Sequence, residues 1–146
     1  MRVLIAPDSF KECLTAEAVA DAIAAGWLRG APDDQVIKIP LADGGEGTTA
    51  TLVGAMQGRL LQARVSGPSG AVVSASYGLI DNGKTAIVEV AEASGLHCVA
   101  EPDRNAMTAS SYGTGELIMA ALKHRPKTLI VCLGGSATTD GGAGKR

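Results

Sequence analysis

TLIVCLGGSATTDGGAGKR, residues 128–146, is the stretch whose reading decides the fold. An apolar, β-branched run (Leu129, Ile130, Val131, Cys132, Leu133) breaks into Gly134-Gly135-Ser136, the pattern of a buried strand with a phosphate-binding loop at its C-terminal end. Five of the eleven residues 134–144 are glycine, and Asp140 stands among them. Glycine lets backbone N–H groups approach phosphate oxygens closely, and a helix N-terminus adds partial positive charge.

Working outward, two more loops of this type appear: ADGGEGT at 42–48 and YGTGEL at 112–117. One glycine loop is as readily a tight turn; three, two of them with an acidic residue set among the glycines, favour nucleotide binding. The segments between them define an α/β chain. Val3–Ala6 reads as a strand ended by Pro7-Asp8-Ser9. Thr15 then caps a helix with Val19, Ala22, Ile23, Gly26 and Trp27 on one face, stopped at Ala31-Pro32-Asp33. Val36–Pro40 is a second strand, and Thr48–Gln57 a second helix stopped at Gly58. Strand, helix, strand, loop, helix is the order of a parallel sheet with helices on its faces. After residue 60 the order changes. Leu60–Val65 and Ala71–Ile80 read as strands, and Asp81-Asn82-Gly83-Lys84 is a hairpin turn into Thr85–Val90. Gly67–Gly70 therefore marks a change of organisation, expected as the start of a second domain. A helix with Leu117, Ile118, Ala121 and Leu122 on one face and a final strand, Lys127–Leu133, complete the series.

Composition narrows the function. The 146 residues suffice for one ordinary domain, 46% hydrophobic content excludes a disordered chain, and a formal charge of −2 leaves no electrostatic footprint for nucleic acid or an anionic membrane. The 19 glycines are about twice the usual share and cluster at strand ends, which places them in ligand-facing loops. No apolar run approaches the ~20 residues of a membrane span, and Arg2 leads at once into VLIAPDSF without a signal peptide. Cys13, Cys98 and Cys132 are odd in number and widely spaced, which reads as free buried thiols in a reducing cytoplasm.

Common phosphate motifs fail. GxxxxGK[ST] needs glycine at 139 and Ser or Thr at 146, where Thr139 and Arg146 stand, and no G-x-G-x-x-G follows the first strand. Acidic groups among glycines point to a cation instead, because carboxylate repels phosphate. Asp43, Glu46 and Asp140 fit Mg²⁺, or one of them accepts the proton of a substrate hydroxyl during phosphoryl transfer. Equally, Asp43 and Asp140 are turn formers that bond neighbouring backbone. Lys11 neutralises phosphate or substrate carboxylate, or is a solvated loop lysine. Ser136, Thr138 and Thr139 offer hydroxyls to phosphate or brace their own loop, and Ser94, Ser110 and Ser111 offer similar donors. His97 and His124 lack partners at metal-ligand spacing and read as surface or helix-end residues.

The ordered runs IAPDSFKECLTAEAVADAIAAGW (5–27), PLADGGEGT (40–48), VEVAEASGL (88–96), SYGTGELI (111–118) and GGSATTDGGAG (134–144) resemble the bacterial glycerate kinases of the glycerate 2-kinase type, over essentially all of the chain before Lys145. The resemblance implies a two-domain α/β fold, mostly parallel sheet with flanking helices and a mixed second domain, one domain inserted in the other, with the active site between them. On that basis residues 1–66 are part of the first domain and 67–146 part of the inserted one. It implies phosphoryl transfer from ATP, with Mg²⁺, to D-glycerate, giving 2-phosphoglycerate, in the cytoplasm, with no nucleic acid or membrane partner. It places Asp8, Ser9 and Lys11, and Asp43, Gly44, Gly45 and Glu46, toward the substrate. Ser136, Ala137, Thr138, Asp140 and Gly141 line the phosphate side. Within this set Lys11 neutralises anion, Asp43 or Asp140 handles metal or proton, and the Gly134-Gly135-Ser136 backbone holds phosphate oxygens. Oligomeric state is left open. Family members are well over twice as long and continue after GGAG with a helix where this sequence has Lys145-Arg146. A polypeptide of these 146 residues is accordingly expected to be an inactive or impaired fragment, at most binding nucleotide or a partner chain, and to carry exposed sheet edges prone to aggregation.

Overall fold

A computed structural model describes residues 1–10 and 13–144. The chain forms two compact units, Met1–Asp43 and Gly44–Arg146.

In the first unit β1 (Arg2–Ile5) and β2 (Gln35–Lys38) pair in parallel, from Arg2 opposite Gln35 to Ile5 opposite Lys38. The crossover is α1 (Ala16–Gly30), whose start follows from its cap: Thr15 is extended, and its side-chain oxygen accepts the Ala18 N–H at 3.2 Å. The buried residues are Ala16, Val19, Ala20 and Ala24, and of these Ala20 and Ala24 pack with Ile5. This corrects the expected face, since Ile23 and Trp27 stay 45% and 40% exposed. A sheet two strands wide covers only a narrow stripe, and alanines let the helix lie close to it. The Trp27 indole instead donates to the Asp34 carboxylate (2.9 Å), which also takes the N-terminal ammonium at 2.5 Å.

The second unit is a four-stranded mixed sheet in the order β3-β4-β5-β6. β3 (Arg59–Ser66) and β4 (Val72–Ile80) are antiparallel over eight residue pairs. β5 (Thr85–Glu89) returns antiparallel to β4 through the expected hairpin, with Asp81 and Asn82 at φ +53° and +55°, and β6 (Thr128–Cys132) joins β5 in parallel. Strand alternation sorts the core into two layers. Ala75, Tyr77, Leu79, Ala86 and Val88 face Leu117 and Ala121 of α4 (Tyr112–Leu122), together with Ala93 of the short α3 (Val90–Ser94). Ile80, Ile87 and Cys132 point the other way and meet Val53 of α2 (Thr48–Ala55). Burying the Leu, Ile and Val side chains among them stabilises by about 1.5–3 kcal/mol each, which sets the register against slippage. Gly113 begins α4 directly over the Ser66 carbonyl, where a side-chain carbon has no room.

Two sequence expectations change here. Thr85–Val90 ends as a strand at Glu89, because Val90 opens α3. The run 129–133 is not a buried strand: β6 pairs on one side only, Cys132 alone is buried, and Ile130, Val131 and Leu133 are 38%, 38% and 81% exposed. The boundary expected at 66/67 lies in the β3–β4 turn, closed by Gly67 N–H to Ala71 C=O at 2.6 Å, and β3 is paired with β4 along its length within the second unit. Among the described residues no helix is long and apolar enough to cross a membrane.

Candidate functional site

Beyond β6 the 134–144 loop is built into the second unit at both ends. Gly134 lies against the Gly44-Gly45 turn: a Cβ there would stand 2.5 Å from Gly45 Cα and 2.9 Å from the Gly44 carbonyl oxygen, so only glycine permits the approach. Next, the loop pairs with the segment after α3. Leu96 N–H donates to Gly135 C=O (3.0 Å) and Ala137 N–H to Ser94 C=O (2.8 Å), around an isolated bridge between Gly95 and Ser136. Ser136 Oγ accepts the Thr138 N–H at 3.0 Å and lies 2.9 Å from Thr138 Oγ1, bracing the turn from within. Gly135, Gly141 and Gly142 take φ of +65°, +62° and +76°.

The far end is tied by Asp140. Its Oδ2 accepts both the N–H (2.8 Å) and Oγ–H (3.0 Å) of Ser111, and its Oδ1 accepts the Gly142 N–H at 3.1 Å. Ser111 is the N-cap of α4, so the carboxylate stands where unsatisfied N–H groups and the helix dipole favour negative charge. Gly144 is buried against this anchor: a Cβ would come within 2.5 Å of Asp140 Oδ2 and of Ser110 Oγ. Thr139 Oγ1 donates to Ala106 C=O at 3.0 Å.

Glu89 is a site residue that the glycine-loop motifs do not mark. It ends β5 with its side chain fully buried, and its two oxygens each accept a backbone N–H at 3.0 Å, from Gly47 and from Thr49. These are the first turn of α2, whose N-cap Gly47 (φ +87°) has no side chain to cap with. A carboxylate from the next strand supplies the cap and fixes the Gly44–Gly47 turn, whose Gly44 N–H donates to Thr48 Oγ1 at 3.1 Å. Burial pushes the Glu89 carboxyl above its ordinary range, opposed by the Thr49 and Gly47 bonds and reinforced by Glu92. The available signal was an acidic residue inside the otherwise apolar run Ala86–Ala91.

The loops thus bring Gly134 against Gly44 and Gly45, with Gly135, Ser136, Ala137 and Thr138 following it along the second loop toward Ser94 and Leu96, and Glu46 exposed on the first. Asp140 and Gly141 stand at the α4 end. Asp8, Ser9 and Asp43 belong to the first unit and are exposed; Asp8 Oδ1 accepts the Ser9 N–H at 2.6 Å. Lys11 lies outside the described residues. Among the described residues no three His, Cys, Asp or Glu side chains gather as a metal cage. Of the other donors, Ser94 is buried against Thr114 Oγ1 (2.8 Å), and Ser110 Oγ accepts the Tyr112 N–H. His124, just beyond α4, lies 3.0 Å from the Tyr77 hydroxyl. All three cysteines are free thiols, but Cys13 is exposed, contrary to expectation, because it sits in the turn before α1 and outside either core.

The glycerate kinase family model matches residues 3–145. The chain is 53% identical to a glycerate kinase of Haemophilus influenzae and 49% identical to glycerate 2-kinase of Escherichia coli, in each case over 99% of its own length and 38% of the relative's. The crystal structure described as glycerate kinase 2 from Salmonella typhimurium LT2 superposes with a TM-score of 0.80 at 48% identity, again over 99% of this chain and 38% of that one. The chain thus spans 38% of the length of these relatives, and it belongs to the glycerate kinase family.

Proposed function

We propose that these residues form part of an ATP-dependent kinase that phosphorylates the 2-hydroxyl of D-glycerate in the cytoplasm. The observation that carries this reading is the pinning of the 134–144 loop between the Gly44-Gly45 turn and the α4 N-terminus, within a chain about half identical to named glycerate kinases. Preorganised loops suit phosphoryl transfer, whose catalysis is mostly positioning and charge stabilisation.

The residue roles follow from what each group has to offer. Ala137 and Thr138 spend their N–H groups inside the protein, so the Gly134-Gly135-Ser136 backbone and the hydroxyls of Ser136 and Thr138 are the groups for phosphate oxygens. Asp140 is an acceptor-rich carboxylate fixed at the loop's end, suited to bracing the loop and to meeting a cation beside it. Mg²⁺, when bound, neutralises phosphate charge. Asp43 is exposed directly before Gly44 and is the candidate to receive the glycerate hydroxyl proton; Lys11 is the candidate to neutralise anion, and the family resemblance turns Asp8 and Ser9 toward the substrate.

The test is ³¹P NMR of D-glycerate with ATP and Mg²⁺, using a full-length glycerate kinase that contains this segment. Glycerate-dependent formation of 2-phosphoglycerate is the expected result; the 3-phosphate as product, or no glycerate-dependent ADP, overturns it. A second reading is favoured by the 38% share of the relatives' length. On this reading a polypeptide of the 146 residues alone is a non-catalytic fragment that at most binds nucleotide or a partner chain. Turnover near that of a full-length relative rejects it.

A further inference from the structure

A cavity of about 210 Å³ opens beside the glycine loop, within the second unit. Its apolar wall is Pro68, Leu96, Val99, Ala109 and Ala137, and its polar groups include Asp103, Arg104 and Asn105. Ala137 belongs to the glycine loop itself. The wall and the loop are one hydrogen-bonded assembly: Thr139 Oγ1 bonds Ala106 C=O, Ser110 N–H donates to Pro68 C=O (3.0 Å), and Leu96 N–H to Gly135 C=O. We propose that this cavity receives the purine base of the nucleotide whose phosphates lie on the 134–144 loop. The proposal rests on the kinase reading above and identifies the site of its nucleoside half.

Size is the first argument. Sites that enclose a whole drug-sized ligand run to about 300–1,000 Å³, so this cavity suits one ring system and not an entire nucleotide.

Chemistry is the second argument. Glycerate is a small polar anion with no flat apolar face to cover a mainly aliphatic wall, so it would leave that wall in water. Asp103 next to Arg104 also leaves no net positive charge to hold a carboxylate. A purine presents flat apolar faces and a polar edge. Arg104, which lines the cavity, is held by Nε–H to the Val99 carbonyl (3.3 Å), and its planar guanidinium is a group able to stack on a ring. Asn105 gives its carboxamide oxygen to the Met107 N–H (3.0 Å), so its NH₂ is the group it presents to a ring nitrogen. The Asp103 carboxylate accepts from an exocyclic amine.

The experiment separates the two halves of the ligand. Amide chemical shifts of the ¹⁵N-labelled 146-residue chain are followed with adenosine, with inorganic tripolyphosphate plus Mg²⁺, and with D-glycerate. Adenosine is expected to shift Leu96, Val99 and Asp103–Ala109, and Ala109→Phe, which fills the cavity, to weaken it by at least about tenfold, the scale of a lost base-stacking contact. The variant's amide spectrum and melting curve report that it is folded. No adenosine response at these amides overturns the proposal, as does a response that Ala109→Phe leaves intact, or D-glycerate moving them in adenosine's place. Tripolyphosphate tests the kinase reading separately. If it fails to move Gly134–Gly142 while adenosine binds, the phosphate loop assignment falls and the base site stands.

Discussion

Asp140 Oδ2 holds both hydrogens that Ser111 can offer, its N–H at 2.8 Å and its Oγ–H at 3.0 Å, and so joins the end of the glycine loop to the cap of α4. Asp140→Ala removes an acceptor that also serves Gly142 and strands these donors. A loss of about 1–3 kcal/mol is expected in urea unfolding, with faster amide exchange confined to Gly134–Gly144. Ser111→Ala keeps the backbone bond and is expected to cost less than Asp140→Ala; equal costs would show that the hydroxyl carries the anchor.

Glu89→Gln replaces one of two acceptors by an NH₂ that faces a backbone N–H, and should destabilise by about 1–3 kcal/mol. The pH dependence has a definite sign. Burial raises the folded-state pKa of Glu89 above its ordinary 4.5, so the folded state binds the proton more tightly than the unfolded one. The stability of the native chain relative to Glu89→Gln is therefore greatest below the unfolded value and declines as pH rises through the folded one. Paired urea titrations from neutral pH downward measure this; a difference that shrinks on acidification contradicts it.

Gly134→Ala puts a methyl 2.5 Å from Gly45 Cα. Overpacking of this kind costs about 1–3 kcal/mol. The strain should appear as chemical-shift changes at Gly44–Gly47 as well as in the 134–144 loop. Changes restricted to the loop would mean that the two turns do not bear on each other.

Thiol reactivity should follow exposure. Cys13 is expected to react with a disulfide reagent at once, Cys98 slowly and Cys132 only as the sheet opens, because burial raises the Cys98 and Cys132 thiol pKa values and suppresses the thiolate. Mass spectrometry of a labelling time course gives the order.

The β6 edge carries Ile130, Val131 and Leu133 partly or largely exposed. Such an edge recruits other strands unless charged. Leu133→Lys should lower light scattering of the 146-residue chain at high concentration without lowering its melting temperature, since Leu133 is 81% exposed.

Local signals carried much of the fold because they act over a few residues. Thr15 caps α1 whatever lies beyond it, Asp81-Asn82-Gly83 reverses the chain by its own backbone preferences, and the 2-residue and 3.6-residue periods marked β4 and α4. The family, too, was legible, since five ordered motifs survive in sequence. Burial was less so. Val19, Ile23 and Trp27 share one periodic face, yet of these Val19 alone is buried, alongside Ala16, Ala20 and Ala24, because which face is covered depends on the width of a sheet assembled from residues far along the chain. The apolar run 129–133 likewise signalled a strand but not its place at an edge.

The sequence by itself determined the alternation of strands and helices, the three glycine loops and the kinase ancestry, all properties of short stretches and their order. Tertiary structure alone decided that Glu89 caps a helix 40 residues earlier in the chain, that Asp140 anchors a loop to Ser111, and that Gly134 must be glycine because Gly45 lies against it. Each of these depends on two distant backbones meeting within a hydrogen bond or a van der Waals radius, a distance set only when the sheet has formed between them.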